Sequence, residues 1–323
     1  MARDPRPSAR IVIPTAIGKI DDPIERLIEF IDERDSIRRH RAKGEAGPWT
    51  KDPILQEWSF TNVRREDDRG TRWIAKHWRD PHADEPDLWH PIVVARFVNE
   101  PDTLAELGFP LPWKPGHFLR VMADREARKA RGERLNVYGP AYMIHADNSA
   151  KKRPTAIYQV EEVFNPLWQL STRKHIRPRF GDTLRSFFRR LMPFHGFGPG
   201  FMTAQIVADL KHIPPLRDAD DWWEFAAPGP GSKRGLNRVL GRAVNRKWGD
   251  QEWLAKLRWL QNKLEPELER IGVGMLDAQN CNNALCEFDK YERVRLGQGK
   301  PRRRFVPYEH RRDRDWPRPG FLF

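Results

Sequence analysis

Carboxylates, guanidinium groups and glycines fall into a few short clusters in this chain, and residue type and spacing bound the chemistry of each. Asp218-Ala219-Asp220-Asp221 places three acids in four positions ahead of Trp222-Trp223-Glu224-Phe225. Such a carboxylate could take a proton as a general base, and the same run could instead cap a helix start. Asp52, within Trp49-Thr50-Lys51-Asp52-Pro53-Ile54-Leu55, is the second candidate catalytic acid. Phe60-Thr61-Asn62-Val63-Arg64-Arg65-Glu66-Asp67-Asp68-Arg69 is dense in hydrogen-bonding groups. Arg64, Arg65 and Arg69 offer planar forks for phosphate or pyrophosphate oxygens, Asn62 can read an amide-like edge such as that of thymine, and Asp68 joins this candidate substrate set. Glu66 and Asp68 could equally pair with the arginines on a solvated helix.

Two further clusters carry charge, and a third carries glycine. Ala227-Pro228-Gly229-Pro230-Gly231-Ser232-Lys233-Arg234-Gly235 is a candidate anion nest with Lys233 and Arg234 as its cations, although it lacks the spacing of a Walker A loop. Glu287, Lys290 and Tyr291 fall three or four apart and can share one helix face as a third substrate-binding group. His195-Gly196-Phe197-Gly198-Pro199-Gly200-Phe201-Met202-Thr203-Ala204 separates the amphipathic segments Asp182–Met192 and Met202–His212, which is the order of a helix-hairpin-helix. Gly196, Gly198 and Gly200 would let the backbone adopt positive φ and approach a phosphate, with Thr203 completing the DNA-contact set. A glycine-rich helix C-cap is the plainer alternative. His195 could contact a phosphate, shuttle a proton, or be a capped core histidine.

These side chains need helices to position them. Asp22-Pro23-Ile24-Glu25 combines an N-cap acid with a proline at the first helical position, and Ile24, Leu27, Ile28 and Ile31 follow at helical spacing, predicting a helix to about Arg41. Its basic end, Arg34–Arg41, reads as solvated surface or as a phosphate contact. Helices are expected at Asp182–Met192, Met202–His212, Leu236–Val244 and Trp253–Leu264. Ile92–Val98 reads as a buried helix or short strand, and Thr155–Val160 as a strand. The first twenty residues read as a flexible arm with a β-prone piece at Ile11–Ile13, residues 21–299 as a catalytic domain of one or two lobes, and 300–323 as a basic tail with too little apolar content for a core.

Composition narrows the function classes. A chain of 323 residues can bury a real core without staples. Cys281 and Cys286 alone supply too few thiolates for a four-thiolate cluster or an all-cysteine zinc site, which suits a reducing compartment. No signal-peptide core or apolar run of membrane-spanning length is present, so the expected location is the cytoplasm, the host's if the chain is phage-encoded. A formal charge of +13 attracts polyanions, and thirteen Trp in so polar a chain suit stacked or extruded bases as well as a core.

Gly198-Pro199-Gly200-Phe201-Met202-Thr203-Ala204 resembles the G-x-G-x-x-T-A turn of helix-hairpin-helix DNA glycosylases, in which one helix and a short loop lead to a catalytic aspartate. That spacing singles out Asp220, with Asp218 and Asp221 as competitors. As an ordered set over residues 20 to 305, Trp49–Leu55, Phe60–Arg69, the glycine turn, Gly229–Gly235 and Cys286–Tyr291 resemble the phage thymine-hypermodification enzymes called α-glutamyl/putrescinyl thymine pyrophosphorylases, or amino acid:DNA transferases. The same helical region is found fused to 5-hydroxymethyluracil DNA kinases, although no P-loop accompanies it in this sequence. The resemblance implies a mainly α, DNA-glycosylase-like fold and a partner that is double-stranded DNA carrying a modified thymine. It further implies an amino acid or polyamine co-substrate, an upstream DNA kinase, and displacement of pyrophosphate from 5-(pyrophosphoryloxymethyl)uracil by an amine on an extruded base. It fixes no cofactor, and a divalent metal could share the charge. The alternatives are a helix-hairpin-helix DNA glycosylase and a non-catalytic DNA-binding partner of a kinase.

Overall fold

The computed structural model describes residues 12–140, 146–198 and 200–305. Most of the N-terminal arm, Ile11 of the β-prone piece, Pro199 of the glycine turn and positions 306–323 of the basic tail lie outside the described residues. Within them the architecture is helical, and the only β feature is an isolated bridge between Trp58 and Arg304. In chain order the helices are α1 (Pro23–Ala42), α2 (Pro53–Glu57), α3 (Arg69–Ile74), α4 (Trp89–Val98), α5 (Pro101–Leu107), α6 (Pro115–Ala130) and α7 (Thr155–Gln159). There follow α8 (Asn165–Trp168), α9 (Leu170–Ile176), α10 (Leu184–Leu191), α11 (Phe201–Leu210), α12 (Pro230–Val239), α13 (Asp250–Arg270) and α14 (Ala278–Arg295). The described residues form two compact units, one made from residues 12–65 and 228–305, the other from Glu66 to Ala227.

In the first unit α1 starts where its cap predicts. The Asp22 carboxylate accepts from the N–H groups of Ile24 (2.7 Å) and Glu25 (2.9 Å), and Pro23 takes the first position. Leu27, Phe30, Ile31 and Ile37 bury the inner face, and Phe30 meets Phe288 and Tyr291 of α14 with ring centroids 5.7 and 5.2 Å apart. Arg34 lies on this buried face, and Arg38 and Arg39 pair with Asp35, so this part of the predicted basic face is spent within the fold. The helix expected at Leu236–Val244 runs instead over Pro230–Val239. Pro230 fixes the first turn, Ser232 Oγ accepts from the Gly229 N–H at 3.1 Å, and Gly241 at φ +62° follows the end. A Cβ on Gly235 would stand 2.1 Å from the Leu285 carbonyl oxygen, and one on Gly231 2.4 Å from Cys286 Sγ. The two glycines, one turn apart, therefore let α12 lie directly on α14.

The second unit is built around α4, all ten residues of which are buried. A helix apolar on every side belongs at the centre of a core, and this resolves Ile92–Val98 as helix. Helix α11 packs against it, and inside the contact Arg96 makes a two-pronged ion pair with Asp209 and donates to Thr71 Oγ1 at 3.0 Å. Thr155–Val160 is not a strand: α7 covers Thr155–Gln159 and continues as a π-turn to Phe164, burying Ala156, Tyr158, Val160, Val163 and Phe164. Burial on a helical stripe outweighs the β-propensity of its branched residues.

Candidate functional site

In the first unit the segment from Trp49 to Arg65 is tied down against α1 and α14. Asp52 caps α2, its Oδ1 accepting from Ile54 N (2.8 Å) and Leu55 N (3.0 Å), while Oδ2 accepts from the Tyr291 hydroxyl at 2.6 Å. The Tyr291 oxygen also lies 2.8 Å from Thr15 Oγ1. Burial, then the hydrogen bond to Asp52, pushes the Tyr291 phenol well above its usual range, so it remains a donor. Both carboxylate oxygens of Asp52 are thus engaged inside the fold, and the residue is buried.

A second clamp holds residues 59–62. Arg34 donates to the carbonyls of Phe60 (3.1 Å) and Thr61 (2.9 Å), Lys290 Nζ donates to the Ser59 carbonyl (3.0 Å), and Asn283 Nδ2 reaches Thr61 Oγ1 (3.1 Å) and the Asn62 carbonyl (3.3 Å). Glu287 accepts from Thr61 N at 3.0 Å and pairs with Lys290, whose ammonium sits 4.5 Å from the Phe60 ring centroid. Arg64 donates to the carbonyls of Val273 and Met275, and the Arg65 N–H donates to Asn280 Oδ1 at 2.9 Å. Lys233 pairs with Asp250 (3.1 Å) and Arg234 with Asp289 (2.9 Å), each keeping about a third of its side chain exposed. The predicted residues Asp52, Asn62, Arg64, Arg65, Lys233, Arg234, Glu287, Lys290 and Tyr291 all belong to this unit.

Asn283 is the member that motif reading passes over, while Arg34 is read as part of a basic face and Asp289 lies within the Cys286–Tyr291 segment without a role. Arg34 was findable, since it falls in register with Leu27, Ile31 and Ile37, where a charged side chain must meet buried acceptors.

The second unit holds Asp68, Arg69, the glycine turn and the acidic run. Asp68 and Arg69 stand at the start of α3. Gly196 (φ +89°) and Gly200 (φ +99°) are demanded by the fold, because a Cβ on them would lie 3.0 Å from Phe97 and 3.1 Å from Phe188. Gly198 is different: it is exposed, with open space where a Cβ would stand. Thr203 is fully buried and donates to the Phe197 carbonyl at 3.3 Å, bracing the turn from inside. His195 is exposed and hydrogen-bonded to the Tyr158 hydroxyl.

The three acids beyond the turn divide. Asp221 accepts from Leu184 N (2.7 Å) and Arg185 N (2.9 Å), capping α10 from a distant stretch of chain. No helix begins at Trp222-Trp223-Glu224-Phe225, so the expected local cap is corrected to this long-range one. Asp218 is exposed and pairs with its neighbour Arg217 at 3.4 Å. Asp220 is exposed and has no hydrogen-bond or ion partner among the described residues. Next to it, the indole of Trp222 donates to the Lys211 carbonyl (3.0 Å), and the Lys211 ammonium lies 4.0 Å from the ring centroid, so the turn carrying Asp220 is pinned.

Residues 22–300 match the profile of a family described as "5-hmdU DNA kinase, helical domain". The chain belongs to this family. It is 24% identical over 295 residues to a 5-hmdU DNA kinase of Bacillus phage SP10, an alignment covering 82% of this chain and 44% of that protein. The chain thus spans less than half the length of the relative it matches. No solved structure matches it.

The helical-domain family match runs from the cap of α1 to just beyond α14 and so takes in every predicted site residue. In chemical terms the domain offers an exposed carboxylate on a pinned turn, an exposed glycine between two helices, and half-exposed cations at the start of α12. Among the described residues no group of three His, Cys, Asp or Glu side chains is placed to hold a metal ion, and no helix is long and apolar enough to cross a membrane.

Proposed function

We propose that this helical domain modifies a thymine-derived base in double-stranded phage DNA by transfer, displacing pyrophosphate from 5-(pyrophosphoryloxymethyl)uracil with the amine of an amino acid or polyamine. The observation that carries the reading is the family match over residues 22–300, because it sets the chain beside a relative named 5-hmdU DNA kinase and spans the segments that resemble those of the DNA transferases. In the step, the bond between the 5-methylene carbon and the pyrophosphate oxygen breaks and a carbon–nitrogen bond forms. The attacking amine gives up a proton, and pyrophosphate leaves with the bonding electron pair.

Asp220 is the proposed general base, supported by its exposure and by the employment of Asp221 elsewhere. The leaving group gathers negative charge that a guanidinium group stabilises, and Arg69, in the same unit as Asp220, is the proposed candidate. Asp52 acts through Tyr291 and α2 as a positioning residue, with Glu287 and Lys290 holding the 59–62 segment that presents Asn62. The turn around Gly198 grips the phosphate backbone, the fold is of the helix-hairpin-helix glycosylase type, and a separate kinase supplies the phosphorylated base.

The test is to incubate the protein with duplex DNA containing the pyrophosphorylated base and candidate amines, digest to nucleosides and analyse by mass spectrometry. The expected result is a nucleoside bearing the amine, with equimolar pyrophosphate. Release of free base and an abasic site would establish a glycosylase instead. Binding with unchanged DNA would overturn the transferase reading.

A further inference from the structure

Phe180 is the most exposed large apolar side chain among the described residues, at 81% of its free surface. It stands on a turn that is held in place. Arg179 N donates to Asp182 Oδ2 (2.7 Å), Asp182 N donates back to the Arg179 carbonyl (3.0 Å), Arg190 donates to Asp182 Oδ1 (2.7 Å) and to the Arg177 carbonyl (3.2 Å), and Gly181 adopts φ +85°. A phenyl ring held in water on a braced turn gains nothing for the fold.

Its surroundings identify what it meets. Between positions 170 and 191 the chain has seven Lys and Arg residues against the single acid Asp182. Arg173 and Arg177 are neutralised by Asp87, and Arg190 by Asp182. The side chains of Lys174, Arg185 and Arg189 form no ion pair among the described residues, whereas Arg179 lies in the field of Asp182 and donates to the carbonyls of Lys174 (3.5 Å) and His175 (3.4 Å). The rigid aromatic therefore projects from a surface with surplus positive charge, at the opposite end of α10 from the turn bearing Gly198. The eight residues of α10 span about 12 Å, the rise of three to four base pairs.

We infer that Phe180 is a wedge inserted between stacked base pairs of duplex DNA, with Lys174, Arg185 and Arg189 on the flanking phosphates. Opening a base step costs a few kcal/mol, and an apolar wedge offsets part of that by filling the gap while basic groups hold the backbone. A preformed turn adds no ordering cost on binding. The inference rests on the DNA reading above and does not depend on the transfer chemistry.

The test uses the full chain and a duplex with 2-aminopurine beside 5-hydroxymethyluracil, whose fluorescence rises when the base unstacks. The wild-type protein raises the signal. Phe180→Ala reduces the rise about fivefold or more while Kd at fixed salt changes less than about threefold, and Phe180→Trp restores it. Because the ring is exposed, the thermal midpoint of Phe180→Ala matches wild type. An unchanged rise in Phe180→Ala, or no rise from wild type on DNA that it binds, overturns the wedge. Unstacking without any amine transfer would remove the proposed reaction and leave the wedge standing.

Discussion

Asp220 and Asp221 are adjacent and chemically identical, yet Asp221 caps α10 while Asp220 is exposed, so substitutions separate them. Asp220→Asn removes the proposed base and no contact of the fold; amine transfer is expected to vanish, with DNA affinity kept and the urea midpoint unmoved. Asp221→Ala deprives the first turn of α10 of its acceptor for two N–H groups and is expected to cost about 1–2 kcal/mol, read as a lower urea midpoint. Equal loss of stability in both variants would dissolve the distinction. A second residue-scale expectation concerns His90, fully buried on α4 with Nε2 3.1 Å from the Phe164 carbonyl, where burial lowers its pKa from 6.5 to about 4. The unfolded chain binds this proton once pH falls below 6.5, and the folded chain does not until about 4. The neutral histidine's contribution is therefore complete above pH 6.5 and is lost as pH falls to 4, up to about 3 kcal/mol. Unfolding at pH 7 and pH 4.5 should show a steeper decline in wild type than in His90→Gln; parallel declines would sink the assignment.

Helices were legible in the sequence to the degree that their signals are local. Asp22-Pro23 and the apolar stripe after it are contiguous, and α1 lies within a residue of its expected end. Thr155–Val160 misleads because β-branched residues read as strand until the stripe from Ala156 to Phe164 is seen to be buried. The acidic run shows the same limit in the site: its resemblance to a catalytic loop was readable, but the cap it provides joins Asp221 to α10, 36 positions upstream for Arg185, and no local pattern encodes that. Gly229–Gly235 is ambiguous in a third way, since glycines suited to an anion nest are also those that let two helix backbones meet. That packing reading has its own consequence. Gly231→Ala should destabilise the protein, because its Cβ would meet Cys286 Sγ at 2.4 Å, and Cys286→Ala should relieve it by removing the sulfur. Gly235→Ala meets the Leu285 carbonyl at 2.1 Å and should lose about 3 kcal/mol or more, with no relief from Cys286→Ala. Melting of the five proteins, wild type included, checks this, and rescue of both glycine variants would contradict it.

Taken as a whole, the molecule carries a charge of +13, but net charge does not reveal which cations are available to a polyanion. Many are already spent. Arg153 meets Asp147 (2.8 Å), Glu161 (2.6 Å) and Glu162 (2.9 Å), and Arg96 lies buried on Asp209. A cation held by carboxylates contributes little to counterion release, since its charge is balanced before DNA arrives. Arg185 and Arg189 on α10 are the contrasting case, lacking an acidic partner among the described residues beside the braced Phe180 turn. Binding to a duplex should weaken steeply with salt, with each phosphate neutralised contributing about −0.9 to the slope of log K against log salt. Substituting Arg185 and Arg189 together by Ala should make that slope shallower by about 2, with little dependence on base sequence. Arg153→Ala should leave the slope where it is. Titration of a labelled duplex over a range of salt concentrations measures all three proteins. If Arg153→Ala changed the slope as much as the double variant, DNA binding would be reading overall charge, and the assignment of the contact to the α10 surface would fall.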